Sequence, residues 1–216
     1  MNAANEYVRQ VMDFIPPAHP ERGRIELDVR AHVEETFEAL AGQARAAFER
    51  LGEPRDLAVG YVAEAPRHYA GVGKRVAAFL IDMLLGLAVF GALAGTVALV
   101  FGAFAIAEEM QSPGPPELSF AVVGVFAVFF VAALALLSIA YFPLLEWRYG
   151  QTLGKYLMSI HVTSEDGLRT SLPAAIVRRI PFFLEFFWLD AIVAFFTERR
   201  QRAFDLVART VVLEIR

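Results

Sequence analysis

The stretch GVGKRVAAFLIDMLLGLAVFGALAG, residues 71–95, opens on two adjacent cations, Lys74 and Arg75, and then sets a single carboxylate, Asp82, inside an apolar run that continues to Ala107. A helix needs roughly 20 consecutive apolar residues to cross about 30 Å of hydrocarbon at about 1.5 Å per residue. The run from Val76 to Ala107 meets that length with Asp82 as its only charge, and Leu118 to Leu145 meets it with none. The linker EEMQSPGPPE (108–117) is acidic and broken by Pro113, Pro115 and Pro116, which lack a backbone donor and suit water better than lipid. It reads as a short external turn. Composition agrees: of 216 residues 56% are hydrophobic and 19 are Phe, too apolar for an ordinary soluble domain of this size.

Charge distribution sets the expected orientation. All twelve Lys and Arg after residue 70 lie at positions 74–75 or from 148 onward, whereas the turn between the two apolar runs carries only Glu108, Glu109 and Glu117. The positive-inside rule then places the N-terminus and the region after Leu145 in the cytoplasm of an inner-membrane, multi-pass protein, with membrane lipids as its first partners. The first 70 residues hold eight Arg against twelve Asp plus Glu, which argues against a nucleic-acid partner. They form no single hydrophobic block of the signal-peptide kind, so translocation is expected to begin at Val76.

Several chemistries are excluded. The chain has no cysteine, and its four histidines (19, 32, 68 and 161) share no metal-like spacing, so no metal and no cofactor is expected. AGVGKR lacks the earlier glycine and the following Ser or Thr of a phosphate loop, and no Ser-His-Asp arrangement is visible, so the chain does not read as an enzyme.

The N-terminal segment reads as a small helical domain. ANEYVRQVMDFI places Tyr7, Val11 and Phe14 or Ile15 on one face before Pro16 and Pro17 stop the helix. Ile25, Val29, Val33, Phe37 and Leu40 recur at helical spacing in a second helix, with Gly42 where a cap would sit. Two shorter helices follow, Gly52 ending one and Pro54 opening the next. The acids are the solvated faces of these helices.

These residues carry two resemblances. Residues 3–65, most specifically Leu51-Gly52 followed by Pro54, Leu57, Ala58 and Tyr61, resemble the HAAS-type (DUF1700) prefix domain, which implies a cytoplasmic adaptor or signalling role. Residues 70–216 resemble an RDD-family membrane domain through RVAAFLID, GQTLGKYLMSIHVTSEDG (150–167) and RRQRAFDLVARTVVL (199–213). The resemblance implies that Arg75, Asp82 and Asp205 are the arginine and two aspartates of the family's name, with Asp190 as a substitute for the last. Relatives commonly carry Leu-Gly where this chain reads Ala203-Phe204. Ion or proton transport is the function it suggests.

Argued from the residues alone, Arg75 and Asp82 are seven apart and share a helix face about 10 Å apart along the axis. An intramembrane acid costs about 2.5–3.5 kcal/mol on insertion scales, so Asp82 either serves an ion or proton, or pins helix packing through a cation such as Arg178 or Arg209. Gly91 and Gly95 form a GxxxG pair that predicts a close helix contact, either with Ala132, Ala133 and Ala135 of the second span or with another subunit in a homo-oligomer.

Residues 180–197, IPFFLEFFWLDAIVAFFT, are apolar yet carry Pro181, Glu185 and Asp190 between arginine-rich flanks, and both flanks want the cytoplasm. SIHVT and TVVLEI are β-branched-rich and are expected to pair, which would bring both ends of the intervening piece to one side. A re-entrant hairpin satisfies these constraints, with a break between Glu185 and Asp190 turning both inward; a third complete span is the alternative.

The expected fold is therefore an all-α membrane protein. It has a cytoplasmic helical domain over 1–68 and a membrane domain over 69–216, with spans at about 76–107 and 118–145, a membrane-dipping segment at about 180–197 and a minor cytoplasmic strand pair. Two functions follow. One is small-cation or proton transport with Asp82 as the binding carboxylate, Arg75 tuning it, and Glu185, Asp190 and Asp205 as relay groups. The other is a non-transporting adaptor that presents the N-terminal domain to a cytoplasmic protein.

Overall fold

The architecture was analysed in a computed structural model, which describes residues 3–40, 43–111, 117–184 and 186–215. The N-terminal body is four helices: α1 (Ala3–Phe14), α2 (Arg22–Ala39), α3 (Ala44–Leu51) and α4 (Pro54–Ala63). Their apolar stripes face one another, so that Tyr7, Val11, Ile15, Ile25, Val29, Val33 and Val62 form one core. Ile15 rather than Phe14 completes the stripe of α1, Phe14 being exposed. Gly52 ends α3 at φ 76°, a left-handed conformation that glycine adopts without Cβ strain. The hydroxyl of Tyr7 donates to the carbonyl of Gly52 at 3.0 Å and ties that turn to α1. The expected cap at Gly42 lies outside the described residues.

Two long helices follow, α5 (Val72–Gln111) and α6 (Glu117–Tyr149). The window Val72–Val100 of α5 is long and apolar enough to cross a membrane, and only 11% of its most apolar stretch is buried within the chain. A core helix of a soluble protein would be covered; here Leu80, Leu84, Leu87 and Leu99 stand exposed. At Gly91 and Gly95 no described atom lies within 4 Å of the place a Cβ would occupy. The expected close contact with the alanines of the next helix is thus absent among the described residues. The turn joining the two helices, residues 112–116, lies outside them.

The remainder packs beneath the lower ends of α5 and α6. It comprises α7 (Leu153–Leu157), β1 (Ile160–Ser164), α8 (Leu172–Val177), α9 (Ile180–Phe183), α10 (Phe187–Val193), α11 (Ala203–Val207) and β2 (Thr210–Glu214). β1 and β2 pair antiparallel, Ile160 opposite Glu214 and Ser164 opposite Thr210, as their β-branched content predicts. Residues 68–70 run along the other side of β2, where the Ala70 N–H donates to the Val212 carbonyl at 2.9 Å and the Glu214 N–H donates to the His68 carbonyl at 2.7 Å.

Residues 180–197 form no continuous helix. α9 and α10 are four and seven residues long, each about 10 Å or less, so neither crosses the hydrocarbon. α9 ends at Phe183 and α10 begins at Phe187, so the helical path is interrupted before Phe187; Glu185, expected to turn inward at such a break, lies outside the described residues. Both ends of the segment return to β2: Arg178 donates to the Thr210 hydroxyl at 2.6 Å and Gln201 to the Thr210 carbonyl at 2.9 Å.

The strand pair also meets the N-terminal body. Leu168, just after β1, enters that body's core, Arg67 donates to the Glu165 carbonyl at 2.7 Å, and Arg55 pairs with Asp166 at 2.7 Å. His161 is 1% exposed at this junction, its ring edge-on to His19 at 6.4 Å. Burial, and secondarily the charge of His19, pushes His161 down to about 4. The folded state then binds fewer protons than the unfolded chain between about pH 6.5 and 4, so His161 costs nothing above that window and destabilises progressively as pH falls through it. Stability should fall by about 2–3 kcal/mol between pH 6.5 and 4.5, and His161→Leu should remove most of that slope. Thermal unfolding of the purified chain against pH tests this; parallel profiles for wild type and variant would show that His161 is not buried neutral.

Candidate functional site

The candidate site is built where α5 and α6 end against the short helices. Asp82, facing inward from α5, accepts the Thr152 hydroxyl at 2.5 Å, the Gly154 N–H at 2.7 Å and the Tyr141 hydroxyl at 3.2 Å. It therefore satisfies the open N-terminus of α7, whose own cap is Thr152. Neither Arg178 nor Arg209 pairs with it. Three neutral donors do the work expected of a cation, because the turn before α7 brings them within reach of the carboxylate.

Gly154 explains how α7 comes so near. A Cβ there would stand 2.0 Å from the Ala78 carbonyl oxygen and 2.9 Å from the Asp82 carboxyl carbon, so only glycine lets the two backbones meet.

Arg75 does not act on Asp82. It turns to Asp205, with Nη1 at 3.2 Å from the carboxylate. Asp205 is fully buried and also pairs with Arg178 at 3.3 Å and Arg202 at 3.2 Å. Burial alone would raise its pKa; the three guanidiniums outweigh burial and hold the carboxyl well below the usual range. The network continues through Arg178 to Glu146 at 3.3 Å and from Glu146 to Lys155. Burial pushes Lys155 down to about 8 although Glu146 opposes it. At the other end Arg202 lies 3.6 Å from Asp190, which accepts the Phe204 N–H at 2.8 Å at the start of α11.

Asp82 and Asp190 are used alike. Each takes the N–H of a residue in the first turn of a five-residue helix that leads, through a residue of positive φ (Ser159 at 53°, Arg209 at 49°), into a strand. Gln151 and Gln201 occupy matching places, each donating to the first carbonyl of the following strand, Ile160 at 3.1 Å and Thr210 at 2.9 Å. Val162 faces Val212 at the centre of the strand pairing, so the two units are related by an approximate two-fold axis through that pair. Lys155 and Asp205 hold equivalent positions in it with opposite charge, and Arg178 and Glu146 join them.

Of the residues expected to act together, the structure therefore joins Arg75, Asp205 and Asp190 in one network, leaves Asp82 beside it on its own donors, and places Gly91 and Gly95 far up α5. The sequence alone did not single out Tyr141, Glu146, Thr152, Gly154, Lys155 or Arg202, and it offered Arg178 as a partner of Asp82 rather than of Asp205 and Glu146. A signal existed: Gln151-Thr-Leu-Gly and Gln201-Arg-Ala-Phe stand 50 residues apart, each glutamine nine residues before the first residue of its strand.

A cavity of about 260 Å³ opens beside the network, lined by the cations Arg75, Arg179 and Arg202 and by the rings of Phe79, Phe182 and Trp188; Asp82 and Asp190 are also in its lining. Among the described residues no group of His, Asp and Glu has the arrangement of a metal site.

An exposed apolar helix of membrane-crossing length, set on a compact charged assembly, marks a membrane protein. The chain belongs to the RDD family, whose sequence profile matches residues 69–209. No curated protein and no solved structure matches the chain.

Gly154→Ala should drive α7 off α5 and break the Asp82 contact, at a cost of about 1–3 kcal/mol. Gly60→Ala, in α4 with open space around it, should instead stabilise by about 0.5–1 kcal/mol. Opposite shifts of the unfolding temperature are the expected result; equal shifts would mean that the α5–α7 contact is loose.

Proposed function

We propose that this chain is a multi-pass adaptor of the bacterial inner membrane that holds its HAAS-like N-terminal body at the cytoplasmic face for a protein partner, and that it neither transports an ion nor catalyses a reaction. The observation that carries this reading is the parallel use of Asp82 and Asp190 as caps of short helices. An ionised carboxylate has about four acceptor positions, and Asp82 spends three of them on protein donors. A cation would have to displace bonds that hold α5 to α7. The charge asymmetry of the loops supports α5 and α6 as two spans with both termini inside. The return of both ends of 180–197 to β2 supports a segment that dips into the membrane and comes back. The exposed Gly91–Gly95 face suits a homo-oligomer.

Transport of a small cation or proton is the second reading, and the position of Asp82 and Asp190 on the wall of one cavity favours it. Flux in sealed vesicles separates the two. The adaptor reading expects wild-type flux of Na⁺, K⁺, Li⁺ and protons no greater than in empty vesicles, and Asp82→Asn to lower stability by about 1–3 kcal/mol. Wild-type flux that Asp82→Asn abolishes at normal protein yield would replace adaptor with transporter. The topology has its own test, aided by the absence of native cysteine. A cysteine at Ser112 should be labelled in intact cells, and cysteines at Ser164 and Arg216 only after permeabilisation. Outside labelling at 216 would mean three complete spans.

A further inference from the structure

The charges around the cavity do not cancel. Four cations, Arg75, Lys155, Arg178 and Arg202, share three carboxylates, Glu146, Asp190 and Asp205. Asp82 is occupied by neutral donors. Arg179, a fifth cation on the cavity wall, has no carboxylate within 4 Å among the described residues. Its guanidinium instead lies 3.2 Å from the centroid of Phe142 and 5.7 Å from that of Phe182. Ring faces attract the charge but satisfy none of its five N–H groups. Its Nε is buried without a hydrogen-bond partner, and so are Nε and Nη2 of Arg75. Burying guanidinium donors unpaired at a membrane face is costly unless something anionic joins them.

The apolar part of the lining names the rest of the ligand. Phe79, Phe182, Phe187 and Trp188 line the same cavity, and Trp188 is 70% exposed, so this aromatic wall is continuous with the apolar surface of α9 and α10. A free inorganic anion would leave that wall bare. An acyl chain would cover it. Basic pockets beside membrane helices on the cytoplasmic side are suited to anionic headgroups, and guanidinium forks match phosphate oxygens two at a time.

We propose that the cavity between α5, Arg179 and α10 binds an anionic phospholipid, its phosphate on Arg179 and the free edge of Arg75, and its acyl chain along Phe79, Phe182, Phe187 and Trp188. The site goes beyond the adaptor reading and is the same whether or not the chain moves ions; it requires only that the chain sits in a membrane. The lipid supplies the negative charge that the protein's own carboxylates lack there.

Short-range fluorescence quenching tests this in the full chain. Trp147→Phe leaves Trp188 as the only tryptophan. The protein is placed in phosphatidylcholine vesicles containing bromine-labelled phosphatidylglycerol or, separately, bromine-labelled phosphatidylcholine. The expected result is saturable quenching of Trp188 at about ten-fold lower mole fraction for the anionic lipid. Arg179→Gln should abolish that preference, whereas Arg148→Gln, a cation outside the cavity, should leave it intact. Ala191→Phe, which fills the cavity from α10 without touching a charge, should abolish saturable quenching and decides the matter if Arg179→Gln does not fold. Millimolar inorganic phosphate should not compete. Equal quenching by the two lipids, full preference in either cavity variant, or displacement by inorganic phosphate would each overturn the proposal, the last in favour of a free-anion site.

Discussion

The lower half of the molecule depends on one buried carboxylate. Asp205 gathers Arg75 from α5, Arg178 from the end of α8 and Arg202 from the start of α11, so three segments remote in sequence meet on two oxygen atoms. Three guanidiniums stripped of water would repel one another; with the carboxylate between them the assembly is held together by what would otherwise force it apart. Such a cluster gives geometric definition more than stability, because desolvation consumes much of the Coulomb attraction. That definition matters here. The apolar faces of α9 and α10 point outward, and they contribute little to fixing their own position against α5.

Asp82 solves a different problem. The N-terminus of α7 would present unsatisfied N–H groups beside an apolar helix, and a carboxylate from that helix is the neighbour best placed to accept them. The same solution recurs at Asp190 and α11, and the two helix-strand units meet through an antiparallel pairing centred on Val162 and Val212. An intramembrane acid is therefore not by itself a sign of ion traffic. What distinguishes a structural carboxylate from a binding one is the origin of its donors, and for Asp82 all three are protein groups on elements that the bond positions.

Long apolar runs were the most legible feature of the sequence, since α5 follows from composition and length alone. The N-terminal helices were nearly as plain, because Tyr7, Val11, Ile25, Val29 and Val33 repeat at the helical period and bury as that period requires. The strand pair could be read from β-branched content. Partnership among charges could not. Sequence spacing put Arg75 on the face of Asp82, but that carboxylate is already filled by three protein donors, and the long arginine side chain reaches Asp205 instead, 130 residues away. GxxxG spacing likewise signals only permission for close approach, and among the described residues nothing uses it. The anchors on both sides of the break before Phe187, Arg178 and Gln201, are set by tertiary bonds that propensity does not reveal.

The same anchors explain why a segment as apolar as 180–197 does not become a spanning helix. Eighteen residues of helix would carry its far end about 27 Å from its start. With Arg178 and Gln201 both bonded to Thr210, the two ends are confined to the neighbourhood of one residue, and the chain between them must double back. Doubling back leaves backbone groups unpaired unless they are bonded within short turns. The Phe186 N–H accordingly returns to the Pro181 carbonyl at 3.0 Å and the Asp190 N–H to the Phe186 carbonyl at 3.1 Å. The rings of Phe186, Trp188, Phe195 and Phe196 stand exposed on the outside of the segment, and Arg178 and Arg202 are held inward on Thr210 and Asp205.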